Sequence, residues 1–296
     1  MGRHGRMRGI CTSGRCHAPP AGAITFHGMI RLLCADVDGT LVGANGAVHP
    51  EVWRAVAKAR DAGIRLALCS GRPAFGITRD YAERFAPEGW HIFQNGASVV
   101  HFPDGRTHSV RVTPEQAAFL RQRARVTGFT LEFYGDLDYA VEDDDVYTHQ
   151  HAALLGVPFR SRPLATFDQP IVRAQWMVRK TQHDAVLAES CEGLELWPST
   201  SPLMPDTLFV GILPRGTNKG TGVQALADEY GIPLDEIMFV GDAWNDMPAL
   251  QLVGHPVAMA NAEPEAIAIA RHVVGHVDDG GLAEALDLAV RIREEA

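Results

Sequence analysis

The stretch Leu33–Val42, with the sequence LCADVDGTLV, constrains the fold of this chain more than any other. An apolar run that leads directly into a turn is typical of a buried strand whose carboxyl end opens into a loop. Asp36 and Asp38 follow that run, and the alternation of side chains along a strand predicts that they point to the same side. Two neighbouring carboxylates repel each other, so the pair requires a cation, a shared proton or a chemical task.

Three interpretations of this stretch compete. Asp and Gly are ordinary turn residues, so the simplest is a strand that ends in a solvated turn. A calcium loop of the EF-hand type requires Gly at its sixth position and Glu at its twelfth, but counting from Asp36 these positions hold Leu41 and Ala47. The third is a nucleophilic Asp that accepts a phosphoryl group, with a second Asp as acid/base and a magnesium ion between the charges.

Composition narrows the class of protein. The chain has 296 residues, of which 46% are hydrophobic and 21% charged, as in a globular protein of one large or two modest domains. The net charge of -9 argues against a nucleic-acid partner, and no apolar run approaches the roughly 18 residues of a membrane span. The five cysteines form no CxxC pair, so we expect a reduced, cytoplasmic setting.

Residues 1–28 differ from the remainder of the chain. They contain four arginines and no acidic residue, with Gly and Pro throughout, and they lack an apolar segment long enough for a signal peptide. We expect a disordered basic tail, and Met29, directly before the first strand, is a candidate start. Removing the tail is expected to leave melting temperature and turnover nearly unchanged, since it has no periodic apolar face to bury.

Strands and helices alternate at both ends of the chain. Helix Pro50–Ala62, strand Ile64–Cys69, a helix from Pro73 and strand Trp90–Phe93 follow the first strand, and the pattern resumes with helix Asn218–Tyr230. This alternation predicts a parallel sheet with right-handed crossovers. Hairpins mixed with helices fill the middle of the chain, where the pattern predicts helices at Thr113–Thr127 and Gln182–Glu192. We therefore expect an α/β core domain from residues 29–97 and 210–296, with an inserted α+β domain at residues 98–209.

Four loops are expected to meet at the carboxyl edge of the parallel sheet, where ligands bind in such folds. They supply carboxylates, a hydroxyl, amides and one ammonium, from Asp36, Asp38, Ser70, Gly71, Lys219, Asp242, Asn245 and Asp246. Each has a plain structural interpretation, such as a turn hydroxyl for Ser70, a solvated charge for Lys219 or a helix cap for Asp242. Together they supply what phosphoryl transfer requires, which is positioning and charge neutralisation around a phosphoryl group.

The segments DVDGTL, CSGR, GTNKG and GDAWNDMPAL resemble the motifs of the haloacid dehalogenase superfamily of phosphohydrolases. The insertion, QNGA and AMANAEPE are similar to its Cof-type branch, which has a large α/β cap. The resemblance covers roughly Ile30 to Leu286 and implies a Rossmann-like parallel sheet core domain with an inserted α+β cap domain. The cap would close over the site and select the substrate.

The resemblance also implies roles for single residues. Asp36 would be the nucleophile, and Asp38 would protonate the leaving oxygen and then activate water. Magnesium would be held by Asp36, the backbone carbonyl of Asp38 and Asp242, with Asp246 fixing its waters. Phosphoryl oxygens would be bound by the backbone amide of Val37 and by Ser70, Gly71, Lys219 and Asn245.

The function that follows is a magnesium-dependent phosphatase of small phosphorylated metabolites, such as a sugar phosphate or a cofactor phosphate, acting through an aspartyl-phosphate. A sugar phosphomutase is the alternative within enzymes, and a non-catalytic phosphosugar sensor is the alternative outside them. Basic residues of the inserted domain are candidates for binding a second anionic group, namely Arg160, Arg162, Arg179, Lys180 and His183.

Overall fold

A computed structural model describes residues 29–44 and 46–296, so the expectations for the tail of residues 1–28 lie outside the described residues. The strands, in chain order, are β1 Leu32–Ala35, β2 Arg65–Leu68, β3 Trp90–Phe93, β4 Ser98–His101, β5 Arg106–Ser109, β6 Thr130–Tyr134, β7 Tyr139–Val141, β8 Arg173–Arg179, β9 Leu194–Ser201, β10 Met204–Pro214, β11 Ile237–Gly241, β12 His255–Met259 and β13 His272–Val274.

The helices connect these strands and cover their faces. They are α1 Pro50–Asp61, α2 Ile77–Phe85, α3 Pro114–Thr127, α4 Val146–Leu155, α5 His183–Leu187, α6 Lys219–Tyr230, α7 Met247–Leu250, α8 Pro264–Ile269 and α9 Gly281–Glu295. Across the described part of the chain, none of these helices combines the length and the apolar character needed to span a membrane.

The core sheet is parallel, as the alternation of strands and helices predicts. Its order is β13-β12-β11-β1-β2, and a parallel bridge between Cys69 and Ile92 attaches β3 beside β2. All four residues of β1 are buried, because helices cover both faces of a parallel sheet. The central strands β1 and β11 are neighbours, so the loops that follow them lie side by side.

The inserted residues form a second, antiparallel sheet of order β7-β6-β8-β10-β9. Helices α3 and α5 pack on one face, where Leu120 and Val186 share a buried cluster with Trp176. Helix α4 lies on the other face, where Tyr147 and Leu154 pack against Met177 and Phe209. This is the α+β unit expected from the mixed pattern of hairpins and helices, and we call it the cap.

The predicted bounds of two helices were wrong, and two further elements were not predicted. Helix α2 begins at Ile77, not at Pro73, because Gly76 has a φ of +62°, which is outside the helical region. Helix α5 is only five residues long instead of extending from residue 182 to 192. Helix α4 and strand β10 were not predicted. The apolar residues of α4 do not gather on one side of the helix, and β10 contains a glycine and two prolines, which weaken a strand pattern.

Strand pairing passes from the core domain to the inserted domain, and back, at places other than residues 98 and 209. Strand β4 pairs with β3, and Val99 and Val100 belong to the same buried cluster as β1. Strand β10 continues as part of the cap sheet to Pro214. The hairpin was assigned to the insertion because local pattern does not reveal which sheet a strand joins. We propose that the inserted domain comprises about residues 110–214.

Candidate active site

Lys219 is a fully buried cation at the centre of the site. Asn218 caps helix α6 through a hydrogen bond from the Thr221 amide, which fixes Lys219 at the first position of the helix. The Lys219 Nζ lies 2.6 Å from Asp36 Oδ1 and 2.6 Å from Asp246 Oδ1. The plain interpretation of Lys219 as a solvated helix-end charge is therefore wrong, and the loops after β1, β10 and β11 are joined through this side chain.

Negative charge is in excess around Lys219. Burial and the nearby Asp246 raise the pKa of Asp36 well above its usual range, although Lys219 opposes that shift. Burial, and then Asp246, raise the pKa of Asp242 to about 7. Burial by itself lowers the pKa of Lys219, but Asp246 and Asp36 outweigh it and keep this ammonium charged. A single ammonium does not balance three carboxylates, so the cluster has the electrostatics of a cation site.

Carboxylate oxygens of Asp36, Asp242 and Asp246 all lie within 4.8 Å of one another. They come from two adjacent strand ends and offer only oxygen donors, which suits a hard cation such as Mg²⁺ better than a softer transition metal. Together with the raised pKa of Asp36, this donor set fits a magnesium ion. Thr40 Oγ1 donates a hydrogen bond of 3.0 Å to Asp242 Oδ1 and holds that carboxylate in place.

Asp246 already has partners for both of its oxygens. Its Oδ1 accepts from Lys219, and its Oδ2 accepts from the backbone amides of Asp242 and Ala243 at 3.1 and 3.0 Å. Asp246 is fully buried. It therefore shapes the loop that carries Asp242 and orients the Lys219 ammonium, in addition to the predicted role of fixing metal-bound water.

The expectation that Asp36 and Asp38 point to the same side was based on the alternation of side chains along a strand, and that basis does not hold. Strand β1 ends at Ala35, before either carboxylate, so the alternation of a strand does not apply to them. Asp36 is buried, whereas the Asp38 carboxylate is more than half exposed and pairs with Arg72, whose Nε lies 2.9 Å from Asp38 Oδ2. Val37 is buried between them, and its carbonyl accepts hydrogen bonds from the amides of Leu41 and Val42.

The loop after β2 brings Ser70 and Gly71 to the same edge. Ser70 is fully buried, and its Oγ accepts a hydrogen bond from the Arg72 amide at 3.1 Å. Asn95 has a φ of +53°, and its backbone amide donates a hydrogen bond of 3.0 Å to the Ser70 carbonyl. Its Oδ1 accepts from Asn245 Nδ2 at 3.1 Å. Asn95 thus links the second loop to the fourth and orients Asn245.

The structure adds residues that the sequence analysis did not assign to the site. Thr40, Arg72 and Asn95 contact predicted site residues, as described above. Asn261, within the AMANAEPE segment, donates to the Gly39 carbonyl at 2.8 Å and so supports the first loop. The signal was available in each case, because these four residues lie inside or beside the motifs, but a motif does not reveal which polar side chain touches which.

The cap lies against the core beside these loops. Phe75, just after the second loop, stacks on Tyr134 and Tyr139 of the cap with ring centroids 6.3 and 5.9 Å apart. Arg173 of the cap donates from Nη1 to the Gly71 carbonyl at 3.1 Å. The basic cap residues selected from sequence are less favourably placed, since Arg160, Arg179, Lys180 and His183 are exposed and Arg162 pairs with Asp138.

Comparison with known proteins places this geometry in context. A family model described as haloacid dehalogenase-like hydrolase matches residues 33–286. The putative phosphatase YxeH of Bacillus subtilis (strain 168) is 26% identical over 268 residues, which cover 87% of this chain and 97% of that protein. An HMP-PP phosphatase of Cronobacter sakazakii is 27% identical over 262 residues, which cover 87% of this chain and 95% of that protein.

Solved structures show the same fold. The crystal structure of a haloacid dehalogenase-like hydrolase from Bacteroides thetaiotaomicron superposes with a TM-score of 0.77 at 24% identity, covering 88% of this chain and 99% of that one. The core sheet and the cap therefore occur together in a known architecture.

Proposed function

Because the chain belongs to the haloacid dehalogenase-like hydrolases, we propose that it is a magnesium-dependent phosphatase of small phosphorylated metabolites that acts through an aspartyl-phosphate at Asp36. The observation that carries this proposal is the buried cluster in which Lys219 bridges Asp36 and Asp246 beside Asp242. The similarity to proteins named as phosphatases, one of them an HMP-PP phosphatase, supports a sugar phosphate or a cofactor phosphate as the substrate class.

Asp36 is the proposed nucleophile. Lys219 holds its Oδ1 at 2.6 Å and fixes the orientation of the carboxylate toward a bound phosphoryl group. One Asp36 oxygen attacks phosphorus, the phosphorus–oxygen bond to the leaving group breaks, and an aspartyl-phosphate forms. In this proposal, phosphoryl oxygens are bound, as charge redistributes, by Lys219, the Ser70 hydroxyl, the amides of Val37 and Gly71 and the Asn245 side chain.

Asp38 is the proposed acid and base. It donates a proton to the departing oxygen in the first step, and in the second step it accepts a proton from the water that attacks the aspartyl-phosphate. Arg72 binds this carboxylate through two nitrogens, which holds it in position. Orthophosphate then leaves, and Asp36 is regenerated.

Magnesium would be held by Asp36, the backbone carbonyl of Asp38 and Asp242, with Asp246 nearby. When bound, it supplies positive charge that offsets both the carboxylates and the anionic substrate. The cap lies over the second loop through Arg173 and the Phe75 cluster, which excludes bulk water from the phosphoryl group.

The test uses the full chain with p-nitrophenyl phosphate and a panel of phosphorylated metabolites, with magnesium and with excess chelator. We expect turnover that disappears with chelator and returns with magnesium. Asp36→Asn should lose nearly all of it, because the amide has the same shape but is not a nucleophile. Asp80→Asn, an exposed change on α2, is the matched control. Undiminished activity in chelator, or in Asp36→Asn, would contradict the proposal.

A further inference from the structure

Arg173 is a buried cation on the cap side of the site. It is the first residue of β8, with only 8% of its surface exposed. Its guanidinium carbon lies 4.1 Å from the centroid of the Tyr134 ring, and its Nη1 donates to the Gly71 carbonyl at 3.1 Å. The guanidinium therefore lies over an aromatic ring, with Nη1 against the loop proposed to bind the phosphoryl group.

The buried carboxylate of Glu132 already accepts hydrogen bonds from other residues. Glu132 is fully buried, and its two oxygens accept hydrogen bonds from Tyr134 Oη at 2.7 Å, His151 Nδ1 at 2.8 Å and Gln175 Nε2 at 2.8 Å. Glu132 attracts Arg173 at longer range, but the two form no ion pair. Arg173 Nε has no hydrogen-bond partner among the described residues, although a buried guanidinium N–H without a partner is costly.

Other arginines of the cap are satisfied or solvated. Arg123 pairs with Glu189 and Arg162 with Asp138, while Arg179 is exposed. Arg173 is buried without such an acidic partner, at the junction of the cap with the phosphoryl-binding loop. A guanidinium presents its N–H groups as a planar fork that matches the paired oxygens of a phosphate or a carboxylate.

We propose that Arg173 binds a second anionic group of the substrate, carried by the leaving group next to the transferred phosphoryl. The proposal rests on the proposed phosphatase function and narrows its substrate class to phosphorylated compounds with an anionic leaving group, such as an organic diphosphate, which is a phosphoanhydride, or a phosphate ester of a carboxylic acid. For a diphosphate, the terminal phosphorus–oxygen bond breaks, Asp36 takes the terminal phosphoryl group, and the monophosphate leaves with the proton from Asp38. Arg173 would then bind oxygens of that monophosphate.

The experiment compares pairs of substrates in which only one member has an anionic group on its leaving group. Ethyl phosphate is paired with ethyl diphosphate, and glycerol 3-phosphate with 3-phosphoglycerate, so that the two sources of a second anion are tested separately. Each is assayed with wild type, Arg173→Gln and Arg173→Lys. The matched control is Arg179→Gln, on the same strand and the same face about 20 Å away. Arg179 also covers an aromatic ring, that of Tyr147, at 5.0 Å, but it is exposed.

We expect wild type to prefer at least one doubly anionic substrate over its partner. Arg173→Gln should reduce kcat/KM for that substrate by about tenfold to a hundredfold, the range of a hydrogen bond to a charged group, with little change on its partner. The kcat/KM of Arg173→Lys for the doubly anionic substrate should fall between those of wild type and Arg173→Gln, and Arg179→Gln should resemble wild type. Melting temperatures check folding. If Arg173→Gln does not fold, the decisive quantity is the kcat/KM of Arg173→Lys for the doubly anionic substrate divided by its kcat/KM for the partner substrate.

Two outcomes would overturn this inference while leaving the phosphatase proposal intact. One is an equal loss on both members of each pair, which would make Arg173 a residue that only positions the Gly71 loop. The other is the absence of any preference in wild type for a doubly anionic substrate. By contrast, no magnesium-dependent turnover of any substrate would contradict the phosphatase proposal itself.

Discussion

The ammonium of Lys219 has no contact with solvent and lies between two carboxylates. Removing one partner of a buried ion pair is strongly destabilising because the other charges stay buried without compensation. We therefore expect Lys219→Met to abolish turnover and to lower the free energy of unfolding by about 3–5 kcal/mol. Denaturant unfolding at pH 8 and pH 5.5 measures this, and the loss should be smaller at pH 5.5, where the carboxylates with raised pKa take up protons.

Lys58→Met is the control for that change. Lys58 pairs with Asp287 at 2.6 Å, but both side chains are about half exposed, and a surface pair contributes only about 0–1 kcal/mol. A similar, small loss in both variants would show that the Lys219 cluster does not have the electrostatics described here.

Gly39 is required by the space around Asp242. Its φ is +81°, and a Cβ there would lie 2.1 Å from Asp242 Oδ2. Gly46 has a similar φ of +73° with nothing within 4 Å of the equivalent position. We expect both Gly39→Ala and Gly46→Ala to lose about 1 kcal/mol or more of stability from backbone strain. Only Gly39→Ala should also require more magnesium for activity and show lower turnover. Equal magnesium titration curves for the two variants would contradict this.

Single residues also show where sequence-based prediction ends. Asp36, Lys219, Asp242, Asn245 and Asp246 were found because they lie in motifs at strand ends, and the structure brings them together. Arg173 was missed because it begins a strand that also contains Gln175 and Arg179, and nothing local distinguishes an arginine at the site from a surface one. Such a distinction depends on contacts with Gly71 and Tyr134, which are distant in sequence.

Among the elements, β3 is attached to the parallel sheet through His91. This residue is fully buried, with Nδ1 accepting from the Leu68 amide at 3.0 Å and Nε2 within 2.9 Å of the Ala86 carbonyl. Burial lowers its pKa to about 4 from an ordinary 6.5. The neutral ring therefore stabilises the fold fully above pH 6.5, and that stabilisation is lost progressively as the pH falls to about 4, since the unfolded chain takes up the proton first.

The expected size of this effect is about 3 kcal/mol, from the difference between the two pKa values. It is measured as the difference in unfolding free energy between wild type and His91→Gln, followed from pH 7.5 to pH 4. That difference should shrink as the pH falls. A difference independent of pH would show that His91 is not held neutral by its surroundings.

The elements with strong local signals were predicted and the others were not. Helix α3 has a capping box at Thr113 and Gln116, proline in its first turn and Gly128 at its end, and its predicted bounds were confirmed. Helix α4 has a comparable cap at Asp145 but no apolar stripe to mark it. Which sheet the β4–β5 hairpin joins depends on tertiary pairing with β3, and local pattern carries no information about that.

At the scale of the whole molecule, Phe75 joins the core to the cap. It is 8% exposed and stacks on Tyr134 and Tyr139. Phe129 has the same exposure but packs within the cap, with its ring 6.2 Å from that of Trp176. We expect Phe75→Ala and Phe129→Ala each to cost about 3–5 kcal/mol. Only Phe75→Ala should lower kcat/KM on the best metabolite. This comparison of the two variants is decisive if both proteins remain folded at the assay temperature.

The central claim is that Asp36 carries the phosphoryl group during turnover. Trapping that group tests the claim most directly. With p-nitrophenyl phosphate, whose leaving group needs no proton, Asp38→Ala should still form the aspartyl-phosphate but hydrolyse it slowly. Acid quench, borohydride reduction and peptide mass spectrometry then identify the modified residue. We predict reduction of the acyl phosphate to the alcohol at Asp36 and at no other carboxylate. Turnover that leaves Asp36 unmodified, or modification at a different residue, would contradict the account.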